Sequence, residues 1–402
     1  MISGIMVYMD TLEIIHQLEQ SDVDTELRNK LVDQLVAGRV IDDPLVEHAF
    51  RTVPRHIFVN TVPSADVYSD ASLITKQVGA LPLTSSTQPS LMAAMLESLR
   101  LTRNTRVLEI GTGTGYNVAL LSDIIGDPHN VYSVDIDPDN ITDATNALIK
   151  AGCLGATLRC QDGSEGLADY APYDRIIATC SVADIPSAWI EQLNDDGVLV
   201  VPIWVNGAQI TPAFRKHDQL LVSHSVVLGG FMKIRSQTYE QIASSVISSD
   251  DDMLISAEHP EWFPRHKVID ILNQDSTRTK LTLGGLTSEM RSAFFVFLAI
   301  RERLSVEIFI EDGQKQFGFG DAGCGIIDCE RGSACLISRD WDVVSFGGKS
   351  ARRTVERLVL EWDRMGRPGV DHMSVTLYSP ETKVNIETTR RAMPRDIDCQ
   401  WP

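Results

Sequence analysis

The sequence predicts an α/β protein: a doubly wound, mainly parallel sheet, preceded by helices and followed by a smaller α+β domain. Three observations carry that expectation. Between Leu91 and Ile203, short apolar runs alternate with stretches of helical periodicity, the pattern of repeated β-α units covered on both faces. One such run, Val107 to Ile110, opens directly onto a glycine-rich turn and then a helix. The chain has 402 residues and 43% apolar content, too much for one ordinary core, so two domains are expected, at 1–236 and 237–402.

The elements follow in order. Apolar residues at Leu31, Leu35, Val40, Leu45, Val46 and Phe50 indicate helices from Leu27 to Val59, within a helical N-terminal part spanning 10–60 and interrupted at Pro54. Tyr68 to Pro89 is rich in Ser, Thr, Gly and Pro, lacks periodicity, and reads as a long loop of the kind that usually carries function. The alternating series then runs helix Leu91 to Leu99, strand Arg106 to Ile110, helix Tyr116 to Ile125, strand Val131 to Asp135 and helix Pro138 to Ala151. It continues with strands at Ala156 to Cys160 and Arg175 to Thr179, a helix at Ser187 to Leu193 and a strand at Val198 to Ile203. Right-handed crossovers place the loops after these strands along one edge, where ligands bind in this architecture.

Gln209 to Phe214 and Gln219 to Val227, joined by Lys216-His217-Asp218, read as an antiparallel hairpin closing the sheet edge. Ser244 to Asp252 reads as a linker or solvated turn. The C-terminal α+β part contains a helix near Thr287 to Ile300, a strand alternating through Val306, Ile308 and Ile310, and an amphipathic helix carrying Val355, Leu358, Val359 and Trp362. Gly366-Arg367-Pro368-Gly369 stops that helix, and Met373 to Tyr378 closes as a strand.

Composition narrows the function. A formal charge of −19, from 55 acidic against 36 basic residues, repels phosphate backbones and anionic membranes, so neither nucleic acid nor membrane is an expected partner. Met1 to Met9 has no basic n-region or cleavage site and reads as mature sequence. The seven cysteines are odd in number and scattered, which argues against a disulfide framework and fits a reducing cytoplasm. Cys324, Cys329 and Cys335 lack CxxC spacing or a nearby His and read as strand residues, not metal ligands.

The strongest local signal is Val107-Leu108-Glu109-Ile110 followed by Gly111-Thr112-Gly113-Thr114-Gly115-Tyr116. A nicotinamide-type fingerprint wants a glycine where Tyr116 stands. The GxGxG spacing, with Glu109 before it, suits S-adenosylmethionine, whose amino-acid moiety contacts the loop; the alternative is a purely structural turn. Asp135, at the end of the next strand, is placed to accept from ribose hydroxyls, with Asp137 as a competitor and a helix N-terminal role before Pro138 as the alternative. Asp162-Gly163, one unit later, is placed at the adenine edge, or forms an ordinary Asp-Gly turn.

With these residues in place, the sequence from about Leu31 to Ile234 resembles the protein-L-isoaspartate O-methyltransferase family. Leu31-Val-Asp-Gln-Leu, Val53-Pro54-Arg55-His56-Ile57-Phe58-Val59 and Tyr68-Ser-Asp70 are similar to its N-terminal helices and the entry to its active-site loop. Val131 to Asp135, Arg175 to Ala178, Ile185-Pro186 and Gly197 to Pro202 are similar to its later strands, in the same order. The resemblance implies a Rossmann-like class I methyltransferase fold using S-adenosyl-L-methionine and releasing S-adenosyl-L-homocysteine. It also implies that Gln88, Glu109, Gly111, Thr112, Gly113, Gly115, Asp135, Asp162 and Gly163 bind that cofactor.

The family's loop has the form Thr-Ile-Ser-Gln-Pro, and here it reads Ser85-Ser86-Thr87-Gln88-Pro89. Thr87 keeps the hydroxyl that lies between methyl donor and substrate carboxylate, so Thr87 and Ser86 are the implied catalytic residues; the alternative is a hydroxyl that caps the helix beginning at Pro89. The implied substrate is a peptide or protein bearing isoaspartate or aspartate, whose methyl ester collapses to a succinimide. No general base is demanded, because the carboxylate is already ionised at neutral pH. The lengthened Ala71 to Val78 segment and the C-terminal domain depart from simple repair enzymes. Both are similar to extended methyltransferases that tailor ribosomally made peptides of the lanthipeptide, lasso and graspetide kinds, so repair and dedicated aspartate modification stay open. For 237–402, substrate-peptide docking and oligomerisation are equal expectations.

Overall fold

Val107–Ile110 is buried at every position, so its side chains face covered surfaces on both sides of a sheet rather than alternating between core and water. Each fully buried Val, Leu or Ile of this kind contributes about 1.5–3 kcal/mol. The computed structural model describes residues 22–78, 81–205, 207–217, 220–236, 245–250, 253–257, 259–281, 283–310, 322–338, 340–378 and 397–400. Met1 to Met9, Asp218, Gln219, Ser244, Asp251 and Asp252, which bear on expectations above, lie outside these residues.

The described residues form two compact units, the first holding those up to Cys180, Pro186–Val200 and 232–236. Its helices begin with α1 (22–37), α2 (Pro44–Thr52), α3 (Arg55–Phe58) and α4 (Ser64–Val67). Pro44 occupies the first turn of α2 and Asp43 caps it by accepting from Leu45 N at 2.8 Å, while Val46, Ala49 and Phe50 form its buried face. Two strands follow, β1 (Leu73–Val78) and β2 (Leu81–Ser86), paired antiparallel. The expected loop from Tyr68 to Pro89 is therefore largely a ribbon. Register shifts between Ile74 and Gln77 break the period-2 pattern, and Ile74 and Val78 are exposed, so the sequence shows no alternation there.

Next come α5 (Pro89–Leu99), β3 (Val107–Ile110), α6 (Tyr116–Ile125), β4 (Val131–Asp135), α7 (Pro138–Lys150), β5 (Thr157–Cys160), β6 (Tyr173–Ala178), α8 (Ser187–Gln192) and β7 (Leu193–Val200). The strands lie parallel in the order β7-β6-β3-β4-β5, with Val107 opposite both Val131 and Arg175. This is the doubly wound α/β sheet that the alternation predicts. The C-terminal ends of β3, β4 and β5 bring Gly111, Asp135 and Asp162 to one edge.

The second unit holds Ser181–Ile185, Val201–Phe231 and the described residues from 245 onward. It contains β8 (Ile203–Val205), β9 (Ala208–His217) and β10 (Leu220–Leu228). The expected strand Val198 to Ile203 is interrupted at Pro202, which has no N–H to donate. β9 and β10 form the expected hairpin, with Leu221 opposite Lys216.

The remaining elements are β11 (Ser245–Asp250), β12 (Met253–Ala257), α9 (Arg265–Leu272), β13 (Ser276–Lys280), α10 (Ser288–Arg301), β14 (Ser305–Ile310), β15 (Ala322–Asp328), β16 (Ser333–Ser338), β17 (Asp342–Gly347), α11 (Ser350–Arg364), β18 (Ser374–Leu377) and β19 (Ile397–Gln400). Ser245–Asp250 is thus an edge strand paired with β12, not a linker; its polar composition is what an edge strand tolerates. An antiparallel sheet of order β11-β12-β14-β15-β16-β17-β13 packs Ile255, Val306, Ile308, Leu336 and Phe346 against Phe263 and α9. β18 pairs with both β10 and β19. Among the described residues no helix is long and apolar enough to cross a membrane.

Candidate cofactor and substrate site

The turn after β3 is shaped by what its glycines permit. Gly111 has φ +103°, and a Cβ there would stand 2.6 Å from Thr179 Oγ1; Gly115 has φ +83°, and a Cβ would stand 2.9 Å from Ala144 Cβ. No other residue fits both the left-handed backbone and the close approach. The loop's amides turn inward. Gly111 N and Thr112 N donate to Val134 O (2.8 and 3.1 Å), Gly115 N to Thr112 O (2.9 Å), and Gly113 N to Asp135 Oδ2 (2.9 Å).

A pyrophosphate would need such amides as donors. With these four amides engaged, the acceptor beside the loop is the Asp135 carboxylate. Those surroundings fit a cationic ligand such as S-adenosylmethionine better than a dinucleotide. Tyr116 adds to the same exclusion: its ring is held by Phe50 and Phe58, with centroids 6.3 and 5.7 Å away, where a dinucleotide loop keeps its third glycine.

Glu109 stands behind the loop. It is fully buried, accepting from Asn117 Nδ2 at 2.8 Å and Ser133 Oγ at 2.6 Å, and Ser133 in turn bonds Thr112 Oγ1 at 2.7 Å. Burial pushes its carboxyl up to about 7, against the lowering effect of those two bonds. It shapes the loop from beneath.

Asp135 is nearly buried and accepts from Gly113 N, from Asp137 N at 2.9 Å and from Asn140 Nδ2 at 3.2 Å. A carboxylate has about four acceptor positions, so one remains for a ribose hydroxyl. The cap of α7 is Asp137, which accepts from Asp139 N at 2.9 Å. Asp162 accepts from Ser164 N (3.0 Å) and Ser164 Oγ (2.8 Å) on one oxygen and from Ser236 Oγ (2.7 Å) on the other. Gly163 is pinned through its carbonyl by Trp189 Nε1 at 2.8 Å, and a Cβ on it would stand 2.7 Å from Ile110.

The substrate side is built on the end of β2. Thr84 packs over the glycine loop, its methyl 3.7 Å from where a Gly113 Cβ would stand, and its hydroxyl meets Asn140 Nδ2 at 3.2 Å. Asn140 therefore ties the ribbon to Asp135, three residues before Thr87. Gln88, the N-cap residue of α5, makes no cap with its side chain; Asp70 does so instead, accepting from Ser90 N (2.8 Å) and Gln88 Nε2 (3.0 Å). Thr87 is partly exposed and its hydroxyl neither caps α5 nor bonds any described residue. Ser86 is only 3% exposed and turns the other way, its Oγ accepting from Arg55 at 3.2 and 3.4 Å.

A model of the protein-L-isoaspartate(D-aspartate) O-methyltransferase family matches residues 26–236, over half of the chain. The chain belongs to the protein-L-isoaspartate O-methyltransferase family. One relative of that name, from Syntrophotalea carbinolica, is 38% identical over 46% of this chain and 81% of its own length. Another, from Geotalea uraniireducens, is 36% identical over 50% of this chain and 89% of its own. A solved protein-L-isoaspartate O-methyltransferase covers 92% of this chain and 99% of that one at 23% identity, with a TM-score of 0.48.

Within this family member, sequence reading missed Arg55, Asp70, Thr84 and Asn140, which hold the site together. Arg55 and Asp70 did carry a signal, lying in the Val53-to-Val59 and Tyr68-to-Asp70 stretches that resemble the family's. The others are ordinary polar residues whose roles depend on contacts up to 56 positions away.

Proposed function

We propose that the chain is an S-adenosylmethionine-dependent carboxyl O-methyltransferase acting on L-isoaspartyl or aspartyl side chains of peptides and proteins. The observation that carries this reading is the pairing of a glycine turn backed by the Asp135 carboxylate with an uncommitted Thr87 hydroxyl, joined through Asp135, Asn140 and Thr84. The cofactor, when bound, supplies a methyl group activated by its sulfonium. The protein's residues position and desolvate. Gly111, Gly113 and Gly115 shape the loop, Asp135 takes a ribose hydroxyl, and Asp162 with Gly163 borders the adenine. Glu109 and Thr112 brace the loop from behind, and Gln88 is held by Asp70 at the entrance of α5.

Thr87 donates to one oxygen of the substrate carboxylate, leaving the other oriented for attack; Ser86 holds Thr87 in place through Arg55. No base is required, since the nucleophile is already an anion. The backbone nitrogen of the next residue then attacks the ester carbonyl, the C–OCH3 bond breaks, and methoxide leaves, carried off as methanol with the nitrogen's proton, which closes a succinimide; a free carboxylate has no comparable leaving group. We assign this chemistry to 1–236, of which the family match spans 26–236, and give 237–402 the role of an accessory domain that docks the substrate peptide.

Thr87→Ala tests the assignment. The expected result is a fall in turnover of about ten- to a hundredfold with S-adenosylhomocysteine affinity unchanged. Equal losses in both would contradict it.

A further inference from the structure

Arg55 is a guanidinium buried to 1% exposure, and no described carboxylate pairs with it. Its partners are neutral oxygens on two segments that flank the substrate site. On one side are the carbonyls of Val67 (2.6 Å), Ser69 (3.4 Å) and Ala71 (3.3 Å). On the other are Ser86 Oγ (3.2 Å) and the Thr87 carbonyl (3.0 Å). The Tyr116 ring lies 5.9 Å beneath it. The Asp70 carboxylate favours the cation at longer range than a direct ion pair, but it is engaged by Gln88 and Ser90. Burial disfavours the charged form, so the cation is held at a cost that neutral carbonyls only partly offset.

A strut between loops does not need a net charge, since a neutral side chain with several donors would do. What a charge adds is a positive potential, weakly screened because it is buried, at the one place where a carboxylate must be brought out of water.

We infer that Arg55 is a positioning residue whose buried charge, transmitted through Ser86 and the Thr87 backbone, makes the substrate loop select a carboxylate over its neutral amide. This rests on the reading of Thr87 as the substrate-facing group.

The test compares Arg55→Lys, which keeps the charge but not the fork of bonds, with Arg55→Met, which loses both. The probes are an isoaspartyl peptide and the same peptide with that carboxylate amidated. Peptide dissociation constants, S-adenosylhomocysteine affinity and thermal melting are measured for each protein.

For the wild type, the acid binds about tenfold or more tighter than the amide. Arg55→Met is expected to collapse that ratio toward one while still binding S-adenosylhomocysteine, and Arg55→Lys to retain most of it. Equal ratios in Lys and Met variants, or a ratio unchanged in Arg55→Met, would overturn the inference and leave Arg55 a neutral strut. Should either variant fail to fold, the salt dependence of the wild-type ratio decides instead: a buried charge predicts little change up to about 0.5 M salt, and a ratio that disappears there overturns the inference. If the wild type binds the isoaspartyl peptide yet never methylates it, the failure belongs to the proposed function.

Discussion

Glu109 illustrates how a single side chain serves the site without facing it. Its carboxyl sits fully buried behind the glycine turn, raised from its ordinary value of 4.5 to about 7, mainly by burial. In the unfolded chain it ionises above 4.5, whereas in the folded protein it stays protonated until about 7. The stabilising difference is present below 4.5 and is lost as pH rises through 7, an amount of about 3 kcal/mol. Glu109→Gln removes the titration while keeping the shape. Urea denaturation from pH 4 to 8 is therefore expected to show the wild type losing stability relative to Glu109→Gln as pH rises, then running parallel above neutrality. At this scale the sequence was partly legible. It marked Glu109, Asp135, Asp162 and Thr87 by their places next to strand ends and in the loop motif. It did not reveal that Thr87 and Ser86 face opposite ways, because that is decided by Arg55, thirty-one positions from Ser86.

Among elements, the ribbon of β1 and β2 departs most from what periodicity suggested. Its strands are bulged and partly exposed, so neither alternation nor a continuous apolar run announces them. Yet this ribbon delivers Thr87, and its end is fixed by Asp70, which caps α5 from outside the helix. Asp70→Ala is expected to lower stability by about 1 kcal/mol and reduce turnover, because Gln88 and the first turn of α5 lose their acceptor. Thermal melting and steady-state kinetics check both; unchanged melting would show that the cap is dispensable. β3, β4 and β5 match their expected bounds to within one residue, whereas β6 begins two residues before the expected Arg175, because Tyr173 and Asp174 precede its apolar run, and β7 spans Leu193–Val200 and not Val198–Ile203. β13, by contrast, is Ser-Thr-Arg-Thr-Lys, an edge strand whose residues are largely exposed, and β16 is buried at every position, so neither shows a period of two.

For the whole molecule, the methyltransferase portion and the C-terminal residues differ in how far sequence explains them. The former carries motifs, because ligand contacts demand particular residues at strand ends. What stands out among the described residues of the latter is packing: Phe263 and α9 against one sheet, and Trp341 and Trp362 stacked 5.9 Å apart. Substrate docking by 237–402 predicts that an isoaspartyl peptide slows amide hydrogen exchange within 259–347, and exchange there unaltered by saturating peptide would rule docking out. Labelled methyl from S-adenosylmethionine, supplied with an isoaspartyl peptide, is expected to appear on that peptide as an ester released as methanol by mild base. Cofactor binding without any such base-labile label would contradict the account.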